Sequence, residues 1–359
     1  MALEALYKIY DGNYSRLLLI PAILFIFCIA AIFIYPGVTT GIDFEGGTRV
    51  IVRADSPIDD KVLEALLEDQ FQLTELTVAS ISSPTGYGAT FQYAENPTLS
   101  AAQAKIAEAE SLLESAPEEC KSLSEQAIQS LSNYLPPKDT STLSAKQTLD
   151  AAKNAIIDAE EVFQVRLENA IVTEFNLGEN PRFEKREVEP TLGSTFWESA
   201  ITVVLTALIL VVLVIFIFFR EVIPSLAVIG AAAFDIAAAL ALMAIFQVPL
   251  SLSTISALLM LVGYSVDTDI MLTTRLIKRR ESTAKGRTKE AMKTGLTMTF
   301  TTLTALMAML TLSYFTQMLV IFEIALVLLF GLIGDLISTW LMNAPVLLWY
   351  VERKKGVKG

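Results

Sequence analysis

The chain has 359 residues, 53% of them hydrophobic, with a mean hydropathy of +0.52 and a formal net charge of −12. This composition excludes an ordinary soluble domain and points to a polytopic membrane protein. Nothing in the charge pattern offers the basic face that nucleic-acid binding requires. The charge is uneven: residues 37–197 carry 12 Lys/Arg against 27 Asp/Glu, a net of −15, and the remainder is +3.

In chain order, a Tyr-rich leader (1–16) precedes a first apolar span at 17–35, which ends in "IYPGVTTG" without a convincing small-x-small cleavage site. The acidic block 37–197 follows. Further spans of about 20 apolar residues are expected at 198–219, 224–246, 249–272, 294–314 and 319–342. A basic loop (273–293) joins the fourth span to the fifth. The tail 343–359 opens with "NAPVLLWY", where Pro345 predicts a kink or an end.

Within the block, "GIDFEGGTRVIVRA", "LTVASIS", "YGATFQY" and "RFEKREVEP" read as strands, and "IDDKVLEALLEDQF" as a helix. Residues from about 98 to 174 are helical, broken at Pro117 and at Pro136–Pro137. Setting aside an excursion over about 98–155, the order is β-α-β-β-α-β, the ferredoxin-like split unit. Its apolar positions look scattered rather than heptadic, so we expect a helical arm with a solvated acidic surface.

Lys8 and Arg16 precede the first span, and Arg220 separates the second from the third. Arg275, Lys278, Arg279, Arg280, Lys285, Arg287 and Lys289 join the fourth to the fifth, and Arg353, Lys354, Lys355 and Lys358 close the chain. Six alternating helices bring all of these to one side, while "FQVPLS" and "YFTQ" on the other side have no basic residue. The positive-inside rule then makes both termini cytoplasmic and the 37–197 block extracytoplasmic.

The residues able to carry chemistry are acids at membrane depth: Asp235, Asp267, Asp269 and Asp335, with Glu323 about one turn from the outer end of its helix. Charge there is costly. Asp267 and Asp269 are two residues apart and point about 200° away from each other, so they cannot form one paired site. Gly263 shares the face of Asp267, with Arg275 two turns on, and Ser265 and Thr273 share that of Asp269. Three readings stay open: an ion or proton relay, anchoring toward the basic cluster, and interhelical glue to Thr297, Thr299, Thr301, Thr302 or Thr304. "FGLIGD" with "AAFD" raises an intramembrane aspartyl protease, but Leu332 and Ile333 break the Gly-x-Gly-Asp pattern. "GIDFEGG" lacks the Lys-Ser/Thr of a nucleotide loop and reads as a tight turn through Gly41, Asp43, Gly46 and Gly47. No histidine exists, and Cys28 and Cys120 lie in different segments, so no metal site or cofactor is expected.

Together "GIDFEGGT", "VEPTLG", "FREVIPSLAVIGAAAFD", "GYSVDTDIMLTTRLIKRR" and "GDLISTWLMNAP" make the chain resemble the SecF subunits of SecD–SecF protein-export complexes, most closely archaeal ones. The resemblance implies an α-helical polytopic membrane protein: a six-helix RND-type bundle with an outer α+β ferredoxin-like domain carrying a helical insertion. It implies a non-enzymatic role in the cytoplasmic membrane beside a SecD-like subunit, the Sec translocon and the translocating polypeptide, coupled to the proton gradient. Bacterial relatives read Gly-Tyr-Ser-Ile-Asn-Asp-Thr in the fourth helix, matching Gly263, Tyr264 and Ser265. Their proton-coupling aspartate falls on Thr268, flanked here by Asp267 and Asp269. Their later Asp-Arg pair falls on Thr274–Arg275, so only the arginine transfers, and Asp235 matches the third-helix aspartate directly. Half of a small-molecule transporter and a non-coupling translocon scaffold remain the alternatives.

Overall fold

The computed structural model describes residues 8–11, 14–54, 56–71, 73–83, 86–94, 96–136, 139–140, 142–177, 181–188, 190–278, 283–316 and 318–356. Arg279, Arg280, Lys358, Pro137 and the start of the leader lie outside them. The chain divides into two units, Met1–Phe44 with Ser194–Gly359, and Glu45–Gly193.

Helix α1 (Leu19–Phe33) opens the first unit, and a single helical turn, Ile42–Glu45, follows it. The second unit contains β1 (Gly47–Ala54), α2 (Asp60–Phe71), β2 (Thr77–Ser83) and β3 (Gly86–Tyr93). It continues with α3 (Pro97–Leu112), α4 (Pro117–Ser130), α5 (Ala145–Glu174) and β4 (Arg182–Val188). The sheet order is β2-β3-β1-β4 with antiparallel neighbours, the topology of a split β-α-β-β-α-β unit. Alternation sets the faces: Val50 and Val52 of β1 and Phe91 of β3 point into the core, against Leu63 and Leu67 of α2. Gly47 enters β1 at φ +111°, where a Cβ would lie 2.5 Å from the Tyr93 carbonyl, so only glycine fits.

The arm is more than a solvated excursion. Helices α3, α4 and α5 pack on one another around Leu99, Ile106, Cys120 and Leu131. The buried stripe of α5 runs Leu149, Ala152, Ile156, Ala159, Phe163, Leu167, Ile171, at spacings of three and four. Its alanines are what made the pattern look scattered. Ser144 and Gln147 close a capping box at the start of α5. Phe163 then meets Phe71, Tyr134 and Tyr93 at ring distances of 5.7, 6.0 and 6.4 Å, joining arm to sheet.

The first unit resumes with α6 (Pro190–Phe219), α7 (Val222–Ile245), α8 (Leu252–Lys278), α9 (Ala284–Thr316) and α10 (Leu319–Ile337). A π-helical turn, Ser338–Asn343, leads into α11 (Ala344–Gly356). Six of these stretches are long and apolar enough to cross a membrane. Helix α10 is central, packed on α7, α8 and α9. Small residues bring it close. Leu261 of α8 covers Gly331, and a Cβ on Gly334 would lie 2.8 Å from the Ala238 Cβ of α7. Two stretches differ from expectation. Ten residues of the expected basic loop, 284–293, are the start of α9, with Ala284, Ala291 and Met292 buried. The chain also passes Pro345 as helix, the π turn having absorbed the disturbance before it.

One end of this unit gathers Tyr10, Leu276, Ala284 and Val351 in a single cluster. There Tyr10 donates to the Trp340 carbonyl at 2.6 Å, and burial pushes its phenol well up, so it remains a donor. Glu221, before α7, accepts from Tyr350 at 2.8 Å and from Lys354 at 2.5 Å. Burial pulls the Glu221 carboxyl up, but those two donors outweigh it and hold it below the usual range.

Candidate functional site

Three of the four intramembrane aspartates converge. Asp235 of α7, Asp269 of α8 and Asp335 of α10 are each no more than 1% exposed. Ser265, one turn before Asp269, and Ser338 donate to the two oxygens of Asp235, the second at 2.6 Å. Asn343 donates to Asp269 Oδ1 at 2.7 Å, and the Thr339 hydroxyl lies 3.1 Å from Oδ1 of both Asp269 and Asp335. The second oxygens of Asp269 and Asp335 find no partner among the described residues. No lysine or arginine of those residues hydrogen-bonds or pairs with the three acids.

The hydroxyl partners come from α8 and the π turn. On α9, Thr297, Thr301, Thr302 and Thr304 return their hydrogens to their own helix backbone, and Thr299 is buried with no partner among the described residues. The glue reading therefore named the wrong helix. Ser338, Thr339 and Asn343 join the site without being among the sequence candidates. Their signal is a polar Ser-Thr…Asn run in an apolar helix just ahead of Pro345. A proline ring crowds the carbonyl four residues earlier, here Leu341, and a widened turn relieves that crowding. Such turns recur at functional sites.

The other sequence candidates separate from the cluster. Asp267 and Gly263 lie on the exposed face of α8, and no atom comes within 4 Å of a Cβ built on Gly263. Thr268 is buried, with its hydroxyl bonded to the Tyr264 carbonyl at 3.3 Å, and the Tyr264 hydroxyl has no partner among the described residues. Arg275 donates to the Glu290 carbonyl at 3.1 Å, away from the acids.

A second polar group sits at the far end of α8. Gly41 N donates to Leu250 O and Leu250 N to Thr39 O, both at 2.7 Å, in an isolated bridge. Asp43, 3% exposed, accepts from Leu252 N at 3.0 Å and so caps α8 from 209 residues away. Glu323 is 7% exposed and accepts from Ser253 at 3.1 Å. Gly46 and Gly47, the end of the same motif, belong to the other unit. Asp43→Ala is expected to cost about 1 kcal/mol, the worth of a helix cap. Faster amide hydrogen exchange at Leu252–Thr254 is the readout; unchanged exchange would remove the capping role.

The family model described as protein export membrane protein SecD/SecF, C-terminal, matches residues 169–353. The chain belongs to the SecD/SecF family. Proteins named SecF from Methanothermobacter thermautotrophicus and Pyrococcus furiosus are 49% identical over 140 residues and 45% over 169. These matches cover 38% and 47% of this chain, and 49% and 56% of the relatives. The chain thus spans about half the length of the curated relatives it matches. The crystal structure of Thermus thermophilus SecDF, described as a translocon-associated membrane protein, superposes with a TM-score of 0.61 at 19% identity. It covers 95% of this chain and 38% of that one, and supports the fold alone. The family match spans all three acids and the π turn and begins inside α5, so the arm before residue 169 lies outside it.

Proposed function

We propose that this chain is the SecF-type half of an assembly that assists protein export, working with a SecD-like partner beside the Sec translocon on the translocating polypeptide. The observation that carries the reading is the buried cluster of Asp235, Asp269 and Asp335, contributed by three helices and joined by hydroxyls. Three carboxyls in hydrocarbon without a counter-cation among the described residues are expensive, and such groups in membrane helices mark ion pathways. Family membership supplies the export context, and the share of SecDF left unmatched by this chain leaves room for a partner to supply the other half.

In this reading the end of the bundle holding Tyr10, Lys354 and the start of α9 is cytoplasmic, both termini lie there, and the acidic unit faces outward. The cluster takes up and releases protons, and the helices carrying it shift as its charge changes. A scaffold reading has one observation in its favour: each acid is already hydrogen-bonded across helices, as structural glue would be.

Precursor accumulation in living cells separates the two. Deletion, wild type and Asp235→Asn, Asp269→Asn and Asp335→Asn would be compared at matched protein levels. Coupling predicts that each variant delays export as much as deletion does. Variants that export normally, while deletion does not, would leave only the scaffold; normal export after deletion would remove the export reading itself.

A further inference from the structure

Thr339 differs from the other threonines of the membrane helices. Thr297, Thr304 and Thr311 on α9 each give their hydrogen to the carbonyl four residues back, the usual outcome in apolar surroundings. The Thr339 hydroxyl instead sits 3.1 Å from Asp269 Oδ1 on α8 and 3.1 Å from Asp335 Oδ1 on α10. A hydroxyl has one hydrogen and two acceptor lone pairs. It can donate to only one of two carboxylates, so two ionised groups would leave one oxygen facing a lone pair. Both contacts are bonds only if the second carboxyl brings its own hydrogen.

The neighbours decide which one does. Asp269 Oδ1 already accepts from Asn343 at 2.7 Å and is built as an acceptor. Asp235 likewise has a hydroxyl donor on each oxygen. Asp335 Oδ1 meets the Thr339 hydroxyl, the Ser265 hydroxyl also acts on this carboxyl, and its Oδ2, like that of Asp269, is buried without a hydrogen-bond partner among the described residues. What separates the two acids is the Asn343 amide, which favours the carboxylate at Asp269 and has no counterpart at Asp335 among the described residues.

We propose that Thr339 is a proton bridge between α10 and α8. Asp335 carries the proton and donates it to Thr339 Oγ1, while the Thr339 hydrogen is donated to Asp269 Oδ1. In the exchange the Asp335 O–H bond breaks as a new bond forms to Thr339 Oγ1, and the original Thr339 hydrogen passes to Asp269. One proton has then moved from α10 to α8, Asp335 is left as carboxylate, and the threonine is unchanged. The ionisable groups facing the pair are Asp235 on α7 and the two acids themselves. The proposal rests on reading the cluster as a working site, but its test does not use export.

The test is the infrared carboxyl stretch of the full chain in lipid nanodiscs at neutral pH. Wild type should show a band from a protonated, hydrogen-bonded carboxyl, and Asp335→Asn should lose it. Thr339→Ser should leave the band in place. Thr339→Val should move it to higher frequency, because the carboxyl loses its acceptor; Thr339→Ala serves the same purpose if the valine variant does not assemble. A wild type without the band, an Asp335→Asn protein that keeps it, or a valine or alanine variant with the wild-type band would each overturn the bridge. The expected spectra in a protein whose Asn variants export normally would keep the bridge and fail the coupling of the cluster to export. The reverse pair of results would do the opposite.

Discussion

Gly331→Ala is expected to destabilise the bundle by about 1–3 kcal/mol, the usual cost of forcing a methyl into a packed core, and Gly331→Val by more. The cause is one contact. Three side-chain carbons of Leu261 occupy the place a Cβ on Gly331 would need, the Cγ among them at 2.7 Å. Leu261 is fully buried and shares its cluster with Val327, Leu328 and Phe330, so it has nowhere to turn. The methyl must therefore push α8 away from α10. Thr339 reaches both Asp269 and Asp335 only while those helices stay close, so the same change should open the site. Leu261→Ala alone leaves a cavity and should cost about 2–5 kcal/mol. Combined with Gly331→Ala, it makes room for the added methyl, and the double variant should be more stable than the sum of the singles by about 1 kcal/mol or more. Denaturation midpoints of the four proteins in one detergent are the measurement. Strict additivity would mean that Leu261 does not set the helix spacing.

The parts of this architecture that follow from hydrophobic period could be read in the sequence. Six apolar spans stand out from their charged flanks, and the strands of the second unit alternate cleanly enough to give their order. Period fails where the buried stripe is made of small residues. Ala152 and Ala159 complete the stripe of α5 but contribute little hydrophobicity, so the arm reads as solvated. It also fails where basic side chains dilute a helix, as at Lys285, Arg287 and Lys289 around the buried Ala284 and Ala291. The acids themselves were legible because charge at membrane depth is rare. What surrounds them was not. Spacing showed that Asp267 and Asp269 point apart without saying which points inward. The π turn depends on how the chain accommodates Pro345 and has no periodic signature at all. Ser338, Thr339 and Asn343 sit in the chain 103, 70 and 74 residues from the acids they bond across helices.

The two fourth-helix acids should behave oppositely when each is replaced by leucine. Asp269 accepts from Thr339 and Asn343 in a sealed site. Asp269→Leu leaves the Asn343 amide without its acceptor, takes one of two carboxyl partners from Thr339, and should cost the isolated chain about 1–3 kcal/mol. Asp267 faces outward, 15 residues from Leu252 and 11 from Lys278 along α8, too deep on the helix for a short side chain to reach water with ease. An aspartate at such depth costs about 2.5–3.5 kcal/mol on insertion scales. Asp267→Leu should therefore leave the isolated chain as stable as wild type or more so. A cost of that size persists if something polar covers the residue in the assembly. Gly263, one turn earlier and open to a radius of 4 Å, gives another helix room for the close approach that small residues permit in membranes. Met260, on the same side, is 54% exposed. This face is where a SecD-like chain would dock in the proposed assembly. Thermal stability in detergent and co-purification with that chain separate the roles: Asp269→Leu lowers the first, and Asp267→Leu reduces the second at least tenfold. If Asp267→Leu co-purifies at the wild-type level, the partner lies elsewhere and Asp267 is solvated by lipid headgroups or water instead.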